Sequence, residues 1–169
     1  MKKLLTLMIL LILSLSLVAC GGEEITLQSQ TVNGLTLEVP SDFGSFEDVE
    51  KQIKMAKNAD STSTITISER VDAQGLTVDS WDEKTFAENV LTGLGDLKIL
   101  EFSNTKTIAG VPAVFAHYYV KNKSNVEVEG YNYFLYHNNG TYQSIAFSFT
   151  KGADSSLTKN LNKIIDSMK

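Results

Sequence analysis

The chain contains a single cysteine, Cys20. No internal disulfide can form, and no cluster of Cys or of Cys with His exists to hold zinc. Only two histidines are present, His117 and His137. The sequence has no G-x-S-x-G elbow, no complete Gly-rich phosphate fingerprint and no Asp-x-Asp-x-Asp-Gly calcium loop. The residues therefore give no reason to draw a catalytic set, a metal site or a cofactor site, and none is expected. Basic runs are also missing. Lys and Arg number 15 against 20 Asp and Glu, a formal charge of −5. Affinity for nucleic acid comes largely from Lys and Arg, so nucleic acid is not an expected partner.

The one long apolar run lies at the start. Lys2 and Lys3 precede Leu4 to Val18, which is interrupted only by Thr6, Ser14 and Ser16. A positive start, a greasy core and a small-residue exit make a secretory signal. The run is short for a bilayer span, which needs about 20 apolar residues. Its exit, Leu17-Val18-Ala19-Cys20, has the lipobox pattern of bacterial lipoproteins. The expectation is cleavage before Cys20 and a diacylglyceryl group on its thiol. Two acyl chains suffice for stable anchoring where one does not. Residues 1–19 are thus read as signal peptide, 20–25 as a lipidated tether and 26–169 as one globular domain. Loss of residues 1–19 removes Lys2 and Lys3 and no acid, leaving 13 bases against 20 acids, a charge of −7. A domain of this size buries roughly 68–70% of its unfolded surface, enough for a core without staples. An acidic monomer on the extracytoplasmic side of the membrane is expected.

Along the domain, Thr26 to Val32 and Leu35 to Val39 flank Asn33-Gly34, a hairpin signal. Ser45 with Asp48 resembles a capping box, and Phe46, Val49, Ile53 and Ala56 recur at helical spacing, which predicts a helix from Ser45 to about Asn58. Thr62 to Val71 is β-branched and alternating, hence a strand. Ser80 with Glu83 predicts a second helix carrying Trp81, Phe86, Val90, Leu91 and Leu94, stopped by Gly95. Leu97 to Phe102, continuing toward Ile108, then Ala113 to Lys121, Val126 to His137 and Tyr142 to Thr150 read as a strand meander. Leu157, Leu161, Ile164, Ile165 and Met168 form the stripe of a closing helix capped by Asp154 or Ser155.

The meander has two apolar faces. With two-residue tips at Lys123-Ser124 and Asn139-Gly140, one face carries Phe115, His117, Tyr119, Val128, Phe134, Ile145, Phe147 and Phe149. The other carries Val114, Ala116, Tyr118, Tyr131, Tyr133, Leu135 and Tyr142. In that register His137 faces Tyr142 and Phe134 faces Ile145. Both faces need cover, so helices are expected on each side. All six tyrosines fall in these strands. Tyrosine suits strands and packing, and it also suits surfaces with one buried and one wet side. Tyr118, Tyr131, Tyr133 and Tyr142 are therefore the candidate binding surface. His117 in mid-strand and His137 beside a turn read as packed or solvated. Glu127 and Glu129 share one side of a strand, where they could meet a cation or stand as a solvated edge; the solvated edge is expected.

Several short pieces fall in a familiar order. They are Gly34-Leu-Thr-Leu-Glu-Val-Pro40 followed by Asp42-Phe43, Thr64-Ile-Thr-Ile67, Ile108-Ala-Gly-Val-Pro-Ala113, Ile145-Ala-Phe-Ser-Phe-Thr150 and Ile164-Ile-Asp-Ser167. The sequence resembles the PsbP-like superfamily over nearly all of residues 26–169. Phe43 stands where many bacterial members carry Trp, and a helix at 45–58 would be more developed than in the family. The resemblance implies an α+β fold, a central antiparallel sheet of about six to seven strands with helices on both faces. It also implies an accessory or binding role rather than catalysis. The expected function is a non-catalytic binding domain, with an envelope protein as a possible partner. The rival expectations are a carrier of an apolar ligand and an envelope-acting hydrolase. A dry Phe-lined cavity would favour the carrier, a deep polar cleft the hydrolase, and a shallow surface with exposed Tyr the binding module.

Overall fold

A computed structural model describes residues 24–121 and 125–169. The expected signal peptide and lipidated Cys20, and the expected turn at Lys123-Ser124, lie outside the described residues. Strands β1 (Leu27–Val32) and β2 (Leu35–Pro40) form a separate hairpin. Its turn is Asn33-Gly34, both at positive φ, and it pairs Val32 with Leu35 as a two-residue loop should. The main sheet has eight strands, one or two more than the sequence suggested, and every pairing is antiparallel. It runs β3 (Glu47–Glu50), β4 (Ile53–Lys57), β5 (Ser63–Ser68), β10 (Thr141–Thr150), β9 (Glu127–Tyr136), β8 (Val111–Lys121), β7 (Asp96–Ile108). The short β6 (Val71–Asp72) also pairs with β10. Helix α1 is Glu83–Asn89 and helix α2 is Ser156–Ser167. The α+β class holds.

The expected helix at 45–58 is instead the β3–β4 hairpin, turned at Gln52 with φ of 73°. The apolar spacing fits a helix, but Ile53 and Met55 also alternate, and both are buried on one side of β4 while Ala56 is buried on the other. Pairing with β5 satisfies a row of backbone groups that would otherwise stand at an open edge, and that outweighs local helix preference. Asp48 and Lys54, which would have supported a helix, face each other across the hairpin at 3.1 Å.

Helix α1 is shorter than expected. Its cap is Asp82, whose carboxylate accepts from the Thr85 amide at 2.7 Å; Ser80 instead closes a single 3-10 turn, Val78–Ser80. Asp82 presents its acceptor to the first free amides of the helix, which Ser80 is too far upstream to reach. Gly95 is not the helix stop, since α1 ends at Asn89. At φ of 84° it turns the chain into β7, and an added Cβ would lie 2.5 Å from the Lys121 carbonyl oxygen.

The two faces of the sheet carry separate cores. On the α2 face, Ile65, Ile67, Phe115, Tyr133, Leu135, Ile145, Phe147 and Phe149 meet Leu35, Leu37 and Val39 of the hairpin and Leu157, Leu161, Ile164 and Met168 of the helix. On the α1 face, Val114, Ala116, Tyr118, Val128, Phe134, Tyr136 and Tyr142 meet Trp81, Phe86, Val90 and Leu91. Helix α2 is fixed at both ends. Ser155 caps it and touches Ser63, Ser156 donates to the Asp42 carboxylate, and Ser167 accepts from the Glu38 amide at 2.8 Å.

Register corrects the expected faces. Asn138 to Gly140 is a three-residue loop with Gly140 at φ of 75°, so Tyr142 faces Tyr136 and Ser144 faces Phe134. Such loops place Gly at a left-handed bulge position, where the chain gains one residue over the two-residue turn. The β8–β9 connection is displaced by one residue in the same way, with Lys121 opposite Glu127. The two displacements add to two residues between β8 and β10, which preserves side-chain alternation, so their expected faces hold. Only β9 inverts. Tyr131, Tyr133 and Leu135 join Phe115, while Val128 and Phe134 join Val114.

Candidate functional site

The four candidate tyrosines do not share a surface. Tyr118 and Tyr142 point to the α1 face, Tyr131 and Tyr133 to the α2 face. Tyr118 is 0% exposed, and its ring lies over Gly130, the residue opposite it on β9, where a side chain would collide with the ring. Among the described residues its hydroxyl has no hydrogen-bond partner, and burial raises its pKa. Tyr142 is buried and stacks on Tyr136. Tyr136 accepts from the Trp81 indole N–H and is pushed up to about 12, chiefly by burial. Tyr133 is buried between Phe115 and Phe147, with ring centroids 4.9 and 6.2 Å away. Tyr131 alone of the four remains half-buried. His137 is half-buried, its Nε2 has no partner among the described residues, and burial followed by the nearby Arg70 lowers its pKa.

What the corrected register assembles is a different group at one end of the α2 face. His117 on β8 lies directly opposite Tyr131 on β9, and Glu129 lies opposite Tyr119 on one side and Phe149 on the other. These neighbours touch. The His117 ring stacks on Tyr131 at 4.1 Å between centroids and 16° between planes. Tyr131 stacks in turn on Phe149 at 5.9 Å. Glu129 Oε1 lies 2.7 Å from His117 Nε2 and accepts the Tyr131 hydroxyl at 3.0 Å. The Tyr131 pKa is raised, first by burial and then by the Glu129 charge, so its proton stays in place as a donor. Glu129 is not the solvated edge expected of it: its side chain is only 15% exposed. Glu127 is half-buried and paired with Lys151 at 2.8 Å.

A groove of about 410 Å³ opens beside this stack. Glu129, Tyr131 and Phe149 form one side; Asp154, Thr158 and Leu161, from the start of α2, form the other. Gly152 and Ala153 close one end. The groove is shallow and open to solvent. Its hydroxyls are engaged: Tyr131 donates to Glu129, and Thr158 Oγ1 donates to the Ser155 carbonyl at 2.8 Å. A nucleophile poised on His117 is therefore not among the contacts this site makes. Carboxylate, phenol and aromatic ring side by side suit recognition of a partly polar, partly apolar group. Among the described residues no group of three or more His, Cys, Asp or Glu could hold a metal ion, and no helix is long and apolar enough to cross a membrane.

Sequence reasoning named His117, Glu129 and Tyr131 separately and did not bring them together. Tyr119, Phe149 and the α2 side of the groove were not candidates. Asn138-Asn139-Gly140 read as a three-residue loop would have put Glu129 and Tyr131 on the face of Phe149; bringing them to His117 also takes the one-residue displacement between β8 and β9.

The sequence matches no protein-family model and no curated protein. Solved structures match the fold. The chain is similar to the cyanobacterial PsbP of Synechocystis, with a TM-score of 0.62 at 14% identity, over 90% of this chain and 97% of that one. It is similar also to the Ran-binding protein Mog1p of Saccharomyces cerevisiae, with a TM-score of 0.58 at 11% identity, over 86% and 96%. The chain shares the fold of these two structures, the fold that the resemblance in its sequence implied.

Proposed function

We propose that this chain is a lipoprotein, cut before Cys20 and held to the extracytoplasmic side of a membrane by a diacylglyceryl group, and that its domain is a non-catalytic binding module. The observation that carries the binding role is the open groove walled by Tyr131, Phe149 and Glu129, with His117 stacked on Tyr131. A shallow site with a half-exposed tyrosine is the form that distinguishes a binding surface from a hydrolytic cleft or a closed apolar carrier cavity. PsbP and Mog1p are similar to this chain in fold, and Mog1p is a Ran-binding protein; a shared fold leaves function to the site, so they support a binding role only as analogy.

The anchor is tested by labelling cells with an alkyne fatty acid. Wild type should carry the label and Cys20→Ser should not; equal labelling would end the anchor reading. The binding role is tested by Ala153→p-benzoylphenylalanine at the groove wall, with irradiation of intact cells. A discrete adduct with an envelope protein is expected. If only uncross-linked protein is recovered, the groove is not a contact surface.

A further inference from the structure

The α2 face carries a repeated arrangement. Lys106 Nζ lies 4.2 Å above the Phe115 ring and 3.0 Å from Glu101. Lys151 Nζ lies 4.4 Å above the Tyr119 ring and 2.8 Å from Glu127. Each is a cation over an aromatic ring with a carboxylate at its side, two attractions that reinforce each other. Tyr131, Phe149 and Glu129 form a third set of rings and carboxylate, and this one faces the groove. Here the hydrogen bonds to Glu129, from His117 and Tyr131, both fall on Oε1, and Lys151, held on Glu127, acts on Glu129 only through its field. No Lys or Arg lines the groove, whereas Asp154 adds a second carboxylate on the opposite wall, shared with Lys159 at 3.1 Å.

Resting on the binding-module reading, we infer that the groove takes the basic side chain, arginine or lysine, of a partner polypeptide. The charged head would lie between Glu129 and Asp154, against the Phe149 ring, and its methylene stem along Leu161. Glu129 is suited to this. It is 15% exposed, so its charge is poorly screened, and two hydrogen bonds hold it in one position. The acidic balance of the chain, 20 acids against 15 bases, would attract such a partner at a distance.

The test uses the full lipidated chain in detergent micelles, titrated with acetyl-Gly-Arg-Gly-amide and with its citrulline counterpart, an uncharged near-isostere. NMR signals of the Leu161 and Thr158 methyls and the Phe149 ring report on the site. Saturable shifts with the arginine peptide are expected, at least tenfold weaker with citrulline and at least tenfold weaker in Glu129→Gln. Phe149→Leu, which keeps the groove apolar without the ring face, should weaken binding severalfold and serves if Glu129→Gln fails to fold. Equal binding of the two peptides, or unchanged binding in the folded variants, would overturn the inference. Methylguanidinium binding as tightly as the peptide would overturn its assignment to a polypeptide. A cross-link at position 153 that persists undiminished in Glu129→Gln would leave the binding module standing and this account of its specificity refuted.

Discussion

The two faces of the sheet are built from the same kinds of side chain and end in different states. On the α1 face, Tyr118 is sealed beneath the α1 region with an unpartnered hydroxyl, and its ring fills the space above Gly130. On the α2 face, one row along the same strands, Tyr131 keeps its hydroxyl bonded to Glu129 and its edge in a solvent groove. Helix α2 and the β1–β2 hairpin cover most of that face but stop short of its end. The lesson is that tyrosine content says little about where a surface will be. Register decides which tyrosines become packing and which become a site.

The largest expected effect comes from breaching the sealed part of the α2 face. Ile164 is 0% exposed at the centre of the helix stripe. Ile164→Asp should destabilise the domain by roughly 3–5 kcal/mol, since an unpaired carboxylate would be buried in place of apolar contacts. Urea denaturation followed by far-ultraviolet circular dichroism checks this; a loss under about 1 kcal/mol would mean α2 is not part of the core.

On the α1 face, Gly130→Ala should cost about 1–3 kcal/mol, because the added methyl meets the Tyr118 ring. At an ordinary strand position the same change would stabilise slightly, so the sign of the shift in denaturation midpoint is itself the readout.

A third expectation concerns pH. Burial raises Tyr118, Tyr133, Tyr136 and Tyr142, and Tyr131 is raised by burial and by Glu129. Folding thus favours the protonated phenols. Their contribution is fully present below the unfolded pKa near 10.0 and is lost as pH rises, for Tyr136 between 10.0 and about 12. Stability should fall across that window, with phenolate absorbance appearing together with unfolding rather than before it.

The smallest effects give the sharpest contrast. Tyr118→Phe removes a buried hydroxyl that bonds nothing among the described residues and should be neutral or stabilising by up to about 1 kcal/mol. Tyr131→Phe removes a hydrogen bond to a carboxylate and should destabilise by about 1 kcal/mol. Measured side by side in guanidinium, shifts of the same sign would show that the faces do not differ as described.

Much of the fold was legible because local and long-range demands agreed. The β1–β2 turn at Asn33-Gly34, the strands from Val111 to Thr150 and the stripe Leu157–Met168 each have one period and one plausible partner. Residues 45–58 were misread because Phe46, Val49, Ile53 and Ala56 satisfy a helix locally. The demand that made them a hairpin, the open edge of β5, lies outside the segment. The site was obscured by less still. A one-residue displacement at each end of β9, the extra loop residue at Asn138 being one of them, inverted the strand in the expected register and dispersed His117, Glu129 and Tyr131 over two faces.

The bond between the Glu38 amide and Ser167 has a consequence in time. It joins residues 129 positions apart, and the apolar side of the β1–β2 hairpin is covered largely by the helix that ends at Ser167. Synthesis proceeds at about 5–20 residues per second, so roughly 6–26 seconds separate the emergence of the two ends of this contact. Throughout that interval Leu35, Leu37 and Val39 have no helix to pack against, and β5 waits similarly for β10. Both edges of the α2-face core thus close in one late event, which makes the nascent chain dependent on whatever shields apolar strands until residues 156–168 arrive.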